Sequence, residues 1–189
     1  MSYVIPTNEL SLADRKAFIA GAVEAGISRA LALGVARGRD ELVVREALPR
    51  EDLGTAATGW VANNYLSMVI PAANAWCSAF SNGALPGTAF QLARTQVAVF
   101  YKFADTEGAP VVTGLRFRVG VTGATTKSVF SIQLPTEAKL EPDLYFTEPV
   151  IYDPEDWLYI EIYPTGNIAG QEHIPFGCFI VERTGGTIS

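Results

Sequence analysis

The sequence predicts an α+β protein: a long N-terminal helix and an extended, uncharged arm, followed by a mainly antiparallel, jelly-roll-like β-sandwich. Three observations predict it. Apolar residues recur at helical spacing from Phe18 to Leu31, the run from Leu53 to Ala93 carries no charged side chain, and from Arg94 onward apolar and polar residues alternate between turn-rich joints. Residues 1–93 are accordingly expected as a helical and extended assembly region and residues 94–189 as the sandwich domain.

The helix starts at a capping-box pattern, Ser11 followed by Asp14, with the acidic side chain at the positive end of the helix. Phe18, Ile19, Ala22, Val23, Ile27, Ala30 and Leu31 then share a face, and Gly38 is the expected stop. Seven turns, about 39 Å at 1.5 Å per residue, result. On this helix Ala22, Gly26, Ala30, Gly34 and Gly38 follow at steps of four and form a smooth groove for another backbone. Each interior glycine costs about 1 kcal/mol against alanine, so a packing gain should offset it. The groove receives the chain's own β domain, a symmetry-related helix or another subunit, or it is a membrane dimerisation face.

Next comes "ELVVREALPREDLG", a short helix or strand ended by Pro49. The uncharged stretch after it is rich in Ala, Gly, Asn and aromatics, Trp60, Tyr65, Trp76 and Phe80 among them. A loop of that length left in water would normally carry charge, so it is expected to be covered by its own domain or by neighbouring chains.

In the second half, Val97, Val99, Tyr101 and Phe103 are expected on one face, and Leu115, Phe117 and Val119 on one face with Arg116 and Arg118 on the other. Phe130, Ile132 and Leu134 form a third set, and "LYFTEPVIY", "DWLYIEIY" and "IPFGCFIVE" supply further strands. In "DWLYIEIY", Leu158, Ile160 and Ile162 point to the core, leaving Trp157, Tyr159, Glu161 and Tyr163 on the reverse. That aromatic reverse face has three readings: a surface covered by the same chain, a protein interface, or a sugar-stacking platform.

Composition excludes several function classes. At 49% hydrophobic and 18% charged the chain is too apolar for disorder, and its charged share is below the usual quarter, so part of its surface is expected to meet protein. A net charge of −6 without a Lys/Arg cluster argues against nucleic acid. Glu24 and Arg29 interrupt the most apolar early stretch, so neither a membrane span nor a signal peptide is expected. Cys77 and Cys178 stand far apart and read as two reduced, buried thiols.

Chemistry-bearing patterns are thin. Asp153, Glu155 and Asp156 lie in the turn "YDPEDW", which lacks the spacing of a calcium loop. His173 is the sole histidine, so no zinc cluster or cofactor site is expected, and "GVTG" at 120–123 reads as a turn. A hydrolase would have to use His173 or an acid pair such as Asp153 and Glu161; no catalytic residue is assigned.

The stretches "LARTQVAVFYKFAD", "YFTEPVIYDPEDWLYIEIYP" and "GCFIVERTGG", set behind a charge-poor N-terminal half, resemble tailed-phage virion proteins of the capsid decoration or cement type. The resemblance implies a non-enzymatic protein made in the host cytoplasm and residing in the virion. Its partners would be itself, as a homotrimer, and a capsid or other virion protein, with no membrane. The expected interface residues are then Ala22, Gly26, Ala30, Gly34, Trp60, Tyr65, Trp76, Phe80, Trp157, Tyr159 and Tyr163. The alternatives are a carbohydrate-binding module of a tail or receptor-binding component, with a glycan on Trp157, Tyr159 and Tyr163, or a baseplate or neck protein. Removing residues 1–53 should leave a folded β domain if the N-terminal part is a separate arm.

Overall fold

The computed structural model describes residues 4–47, 67–69, 74–78, 90–106, 111–121, 124–132, 143–165 and 171–185. One helix, α1 (Leu12–Ala32), is preceded by β1 (Val4–Pro6) and followed by β2 (Leu42–Glu46), β3 (Ser67–Val69), β4 (Cys77–Ser78) and β5 (Phe90–Gln91). The second half contributes β6 (Gln96–Ala104), β7 (Val112–Val119), β8 (Thr125–Ser131), β9 (Asp143–Tyr152), β10 (Trp157–Pro164), β11 (Gln171–His173) and β12 (Phe176–Arg183). Single 3-10 turns at Thr7–Glu9 and Arg39–Glu41 lead into α1 and β2.

These strands form two mainly antiparallel sheets, a β-rich sandwich. The first has the order β1-β9-β6-β12-β2, the second β4-β10-β7-β8 with β5 also beside β10; β11 and β3 pair separately. Between the sheets lies the main core, in which Phe100 and Phe117 meet with ring centres 5.3 Å apart and Phe130 stacks on Phe146 at 4.6 Å. The Tyr152 hydroxyl is carried into this core and donates to the Arg118 carbonyl at 2.9 Å, so the buried polar group keeps a partner.

α1 covers the other face of the first sheet and closes a second core of Ala22, Ile27 and Ala30 on Val97, Val99, Tyr101 and Val181. Its start is the expected capping box: Ser11 Oγ accepts from the Asp14 N–H, and Asp14 accepts from the Ser11 N–H at 3.1 Å. Its end differs from expectation. The helix stops at Ala32, about 32 Å long at 1.5 Å per residue, because Gly34 adopts φ +72°. The Val35 N–H then reaches the Ala30 carbonyl and the Gly34 N–H that of Leu31, the paired bonds of a Schellman cap. Gly38 instead begins the turn into β2.

The small-residue groove of α1 is occupied by the chain's own sheet. A Cβ on Gly26 would lie 2.7 Å from Val99 Cγ2 and 2.8 Å from Val181 Cγ2, so the glycine lets the helix sit against two adjacent strands. Ala22 and Ala30 are buried in the same contact.

The expected division at 93/94 is corrected by the sheet order. β1 and β2 are the two edges of the first sheet, and β4 and β5 pair with β10, so the first half is woven into both layers. The physical reason is pairing: Leu42–Glu46 satisfies its backbone groups on β12, and Cys77–Ser78 does so on β10. Of the uncharged stretch, the described parts are Ser67–Val69, Asn74–Ser78 and residues 90–93.

A second correction concerns β6. Val97, Val99 and Tyr101 lie under the helix as expected, but Phe103 belongs to the inter-sheet core. Tyr101 is an extra residue against β12, whose consecutive Cys178 and Gly177 pair with Phe100 and Lys102; the register with β9 also breaks here, passing from Val150 opposite Phe100 to Tyr145 opposite Lys102. Such a bulge breaks the period-two pattern and sends Phe103 to the opposite face. Opposite it stands Gly177, where a Cβ would meet Tyr101 Cζ at 2.7 Å.

Candidate interaction surface

The outer face of the second sheet gathers most of the sequence-predicted aromatic residues that the structure describes. Alternation along β10 buries Leu158, Ile160 and Ile162 completely and turns Trp157, Tyr159, Glu161 and Tyr163 outward. On β7 the same parity buries Leu115 and Phe117 and presents Arg116 and Arg118. Register then places Tyr159 opposite Arg118, Glu161 opposite Arg116, and Tyr163 opposite Gly114.

Trp76, just before β4, leans over this face. Its ring meets Tyr163 edge-on at 5.3 Å, and the Arg116 guanidinium lies 4.3 Å from its ring centre. Gly114 makes the seat: a Cβ there would be 3.1 Å from Trp76 Cη2 and 3.0 Å from Tyr163 Cβ. Cation–π contact with a half-buried tryptophan stabilises by about 1–2 kcal/mol.

Glu161 is the ionic centre and is 5% exposed. Its Oε2 accepts from Arg116 Nε at 2.7 Å and from an Arg118 terminal nitrogen at 3.4 Å. The second bond is long, and Arg118 Nε is buried with no acceptor among the described residues. The Arg118 guanidinium lies 5.9 Å from the Tyr159 ring centre. Burial first, and the Glu161 charge second, push the Tyr159 hydroxyl above its ordinary pKa against the pull of Arg118 and Arg116, so it stays neutral at physiological pH. Val129, on β8 opposite Arg116, is 53% exposed at the margin of the face.

The remaining expected interface residues are distributed otherwise. Ala22, Gly26 and Ala30 lie beneath the chain's own sheet, which corrects their assignment to a partner: reaching them would require lifting the helix from its core. Gly34 is exposed in the helix cap. Trp60, Tyr65 and Phe80 lie outside the described residues.

The acidic turn is structural. Arg29 Nε and one of its terminal nitrogens donate to Asp153, at 2.8 and 2.6 Å, tying the helix to the β9–β10 turn. That bond holds the Asp153 carboxyl below its ordinary value. Asp156 accepts from the Asp153 N–H at 2.9 Å and pairs with Lys127 at 3.1 Å, and Glu155 takes the left-handed conformation at φ 65°. Asp153 and Glu161 are thus each held by a different arginine. His173 lies on β11 opposite Ser67. Among the described residues no three His, Cys, Asp or Glu side chains gather as a metal site, no helix is long and apolar enough to cross a membrane, and Cys77 and Cys178 are free and buried.

Sequence reasoning singled out the aromatic residues but not Arg116, Arg118 or Gly114 as parts of the same surface. The alternation in "GLRFRVG" did place both arginines outward; what it lacked was the pairing of β7 with β10, which sets them beside Glu161.

No family model matches this chain, and no curated protein matches it. It aligns with a chain in the solved structure of infectious bursal disease virus, Gx strain, at 11% identity and a TM-score of 0.36. The alignment covers 77% of this chain and 34% of that one. It is too slight to assign a function.

Proposed function

We propose that this chain is a virion structural protein, a decoration or cement subunit whose sandwich is a jelly roll and whose work is the burial of surface against neighbouring subunits, without catalysis. The observation that carries the reading is strand order. Setting aside β1, β3, β5 and β11, the chain runs β2, β4, β6, β7, β8, β9, β10, β12, and it changes sheet at every step except the β7–β8 hairpin. The resulting layers, β2-β12-β6-β9 against β4-β10-β7-β8, support the reading as a doubled Greek key, the jelly roll used by viral capsid and lectin domains and by cupins.

Two features favour the assembly role over the other uses of that fold. The single histidine is poor material for a histidine-ligated metal enzyme. The face that would stack on sugar has Trp76 engaged by Arg116 and Tyr163, while its Trp, Tyr and Arg content is that of protein interfaces. The decoration role, the tailed-phage setting and the trimer come from the resemblance of the sequence layout. In a shell, apolar area buried at about 25 cal/mol per Å² would act across subunit joints, less the cost of ordering them.

Light scattering of the full chain over a hundredfold concentration range tests the reading, with a glycan array run on the same sample. A symmetric homo-oligomer, a trimer, is expected, with no saturable glycan binding. A monomer at every concentration would overturn it, and glycan binding abolished by Trp157→Ala would put the lectin reading in its place.

A further inference from the structure

The outer face of the second sheet holds two guanidinium groups against one carboxylate, in a protein whose net charge is −6. The two arginines are not equivalent. Arg116 is fixed by a 2.7 Å bond to Glu161 and by Trp76 above it. Arg118 makes one hydrogen bond, at 3.4 Å to the same oxygen, beside a 5.9 Å approach to the Tyr159 ring, and its Nε is the one buried side-chain nitrogen or oxygen among the described residues without a partner. A buried donor left unserved costs about 1–3 kcal/mol, so such a group calls for an acceptor. Swinging outward onto a second carboxylate, Arg118 gives up one long hydrogen bond and a distant ring contact, while Arg116 keeps Glu161 neutralised.

From this we infer that Arg118 is the receptor for a carboxylate of a protein partner docking on the β7–β10 face. A guanidinium binds a carboxylate through two parallel N–H···O bonds, which its loose bond to Glu161 does not supply. The partner's chemistry follows from the surroundings. The Trp76 ring is engaged by Arg116 and the Tyr159 ring faces Arg118, so these two rings are already committed to cations rather than to a saccharide. Tyr159, Tyr163 and the two arginines are instead of the types that anchor protein interfaces, and the exposed Val129 adds apolar area beside them. The occupant is thus an acidic peptide segment, with its Asp or Glu on Arg118 and its apolar neighbours against Val129 and Tyr159. The inference rests on the assembly reading only in taking the occupant to be protein.

NMR of the arginine Nε–H resonances of the full chain provides the test, with an acetylated, amidated Glu-containing hexapeptide as probe. Its Gln counterpart, glucuronic acid and sodium chloride at matched ionic strength are the other arms. The Glu peptide is expected to shift the Arg118 resonance saturably while that of Arg29, already paired with Asp153, stays in place. Arg118→Gln should weaken binding at least about tenfold, and Arg118→Lys should not restore it fully, because the ammonium cannot form the fork. An unchanged backbone amide spectrum in both variants separates loss of binding from loss of fold. The proposal is overturned if the Arg118 resonance ignores the peptide, if the Gln peptide or salt moves it equally, or if glucuronic acid alone moves it. None of these outcomes bears on the oligomeric mass, so the assembly reading stands or falls separately.

Discussion

Replacing Gly26 by alanine probes the seating of α1 on its sheet, and Gly21→Ala supplies the reference. Both glycines are interior to the same 21-residue helix, so both substitutions gain roughly 1 kcal/mol of helix propensity. At Gly21 a new Cβ meets nothing within 4 Å, so that gain is expected in full. At Gly26 it would stand 2.7 and 2.8 Å from two valine methyls, about 1 Å inside the usual carbon–carbon separation. Val99 and Val181 are both fully buried and, being β-branched, have no second rotamer to retreat to cheaply. The helix must therefore lift, at an overpacking cost of about 1–3 kcal/mol. Because the propensity terms cancel, the two variants should differ by that cost. Urea titration measures it directly, and in a chain of this size each 1 kcal/mol corresponds to roughly 2–4 °C in melting temperature. Equal stability changes in the two variants would refute the close seating of α1 on β6 and β12.

Two further outcomes follow from the contacts. Asp153 has a folded-state pKa below its ordinary 3.8, because of the Arg29 bond, so its contribution is present above that value and fades as pH falls through the folded one. Asp153→Asn should therefore lose stability at pH 7 and flatten the acid limb of the stability profile; an acid limb unchanged from the parent would count against the Arg29 bridge. Deleting residues 1–53 removes β1, β2 and α1 together and strips cover from Val97, Val99, Val181 and Tyr101, so the shortened chain should lose its cooperative thermal transition. A sharp transition and native-like circular dichroism would restore the separate-arm reading.

Local chemistry made several elements legible without a structure. Ser11 and Asp14 lie three residues apart, and a capping box needs nothing beyond that spacing. Strict alternation in "GLRFRVG" and "DWLYIEIY" fixed the inward and outward sets of β7 and β10, because a strand's side chains can only take turns. What failed did so where distant chain segments decide. Alternation in "TQVAVFYKF" continues past the bulge in letters but not in space, because the extra residue at Tyr101 is defined by its pairing with β12. Gly34 and Gly38 are equally plausible stops by composition, and the backbone bonds of Val35 and Gly34 select the first.

A small-residue row on α1 already implies in the amino-acid order that something must approach it closely, since interior glycines are costly unless another surface does so. That the surface is the chain's own Val99 and Val181, 82 residues apart in sequence and adjacent across β6 and β12, is settled by folding. The same division holds for the outer face of the second sheet. Composition and period brought Trp157, Tyr159 and Tyr163 to one side of a strand, but pairing with β7 gave them two arginines for one carboxylate. Charge balance at a site is a property of neighbours in space, and strand pairing is what chooses those neighbours.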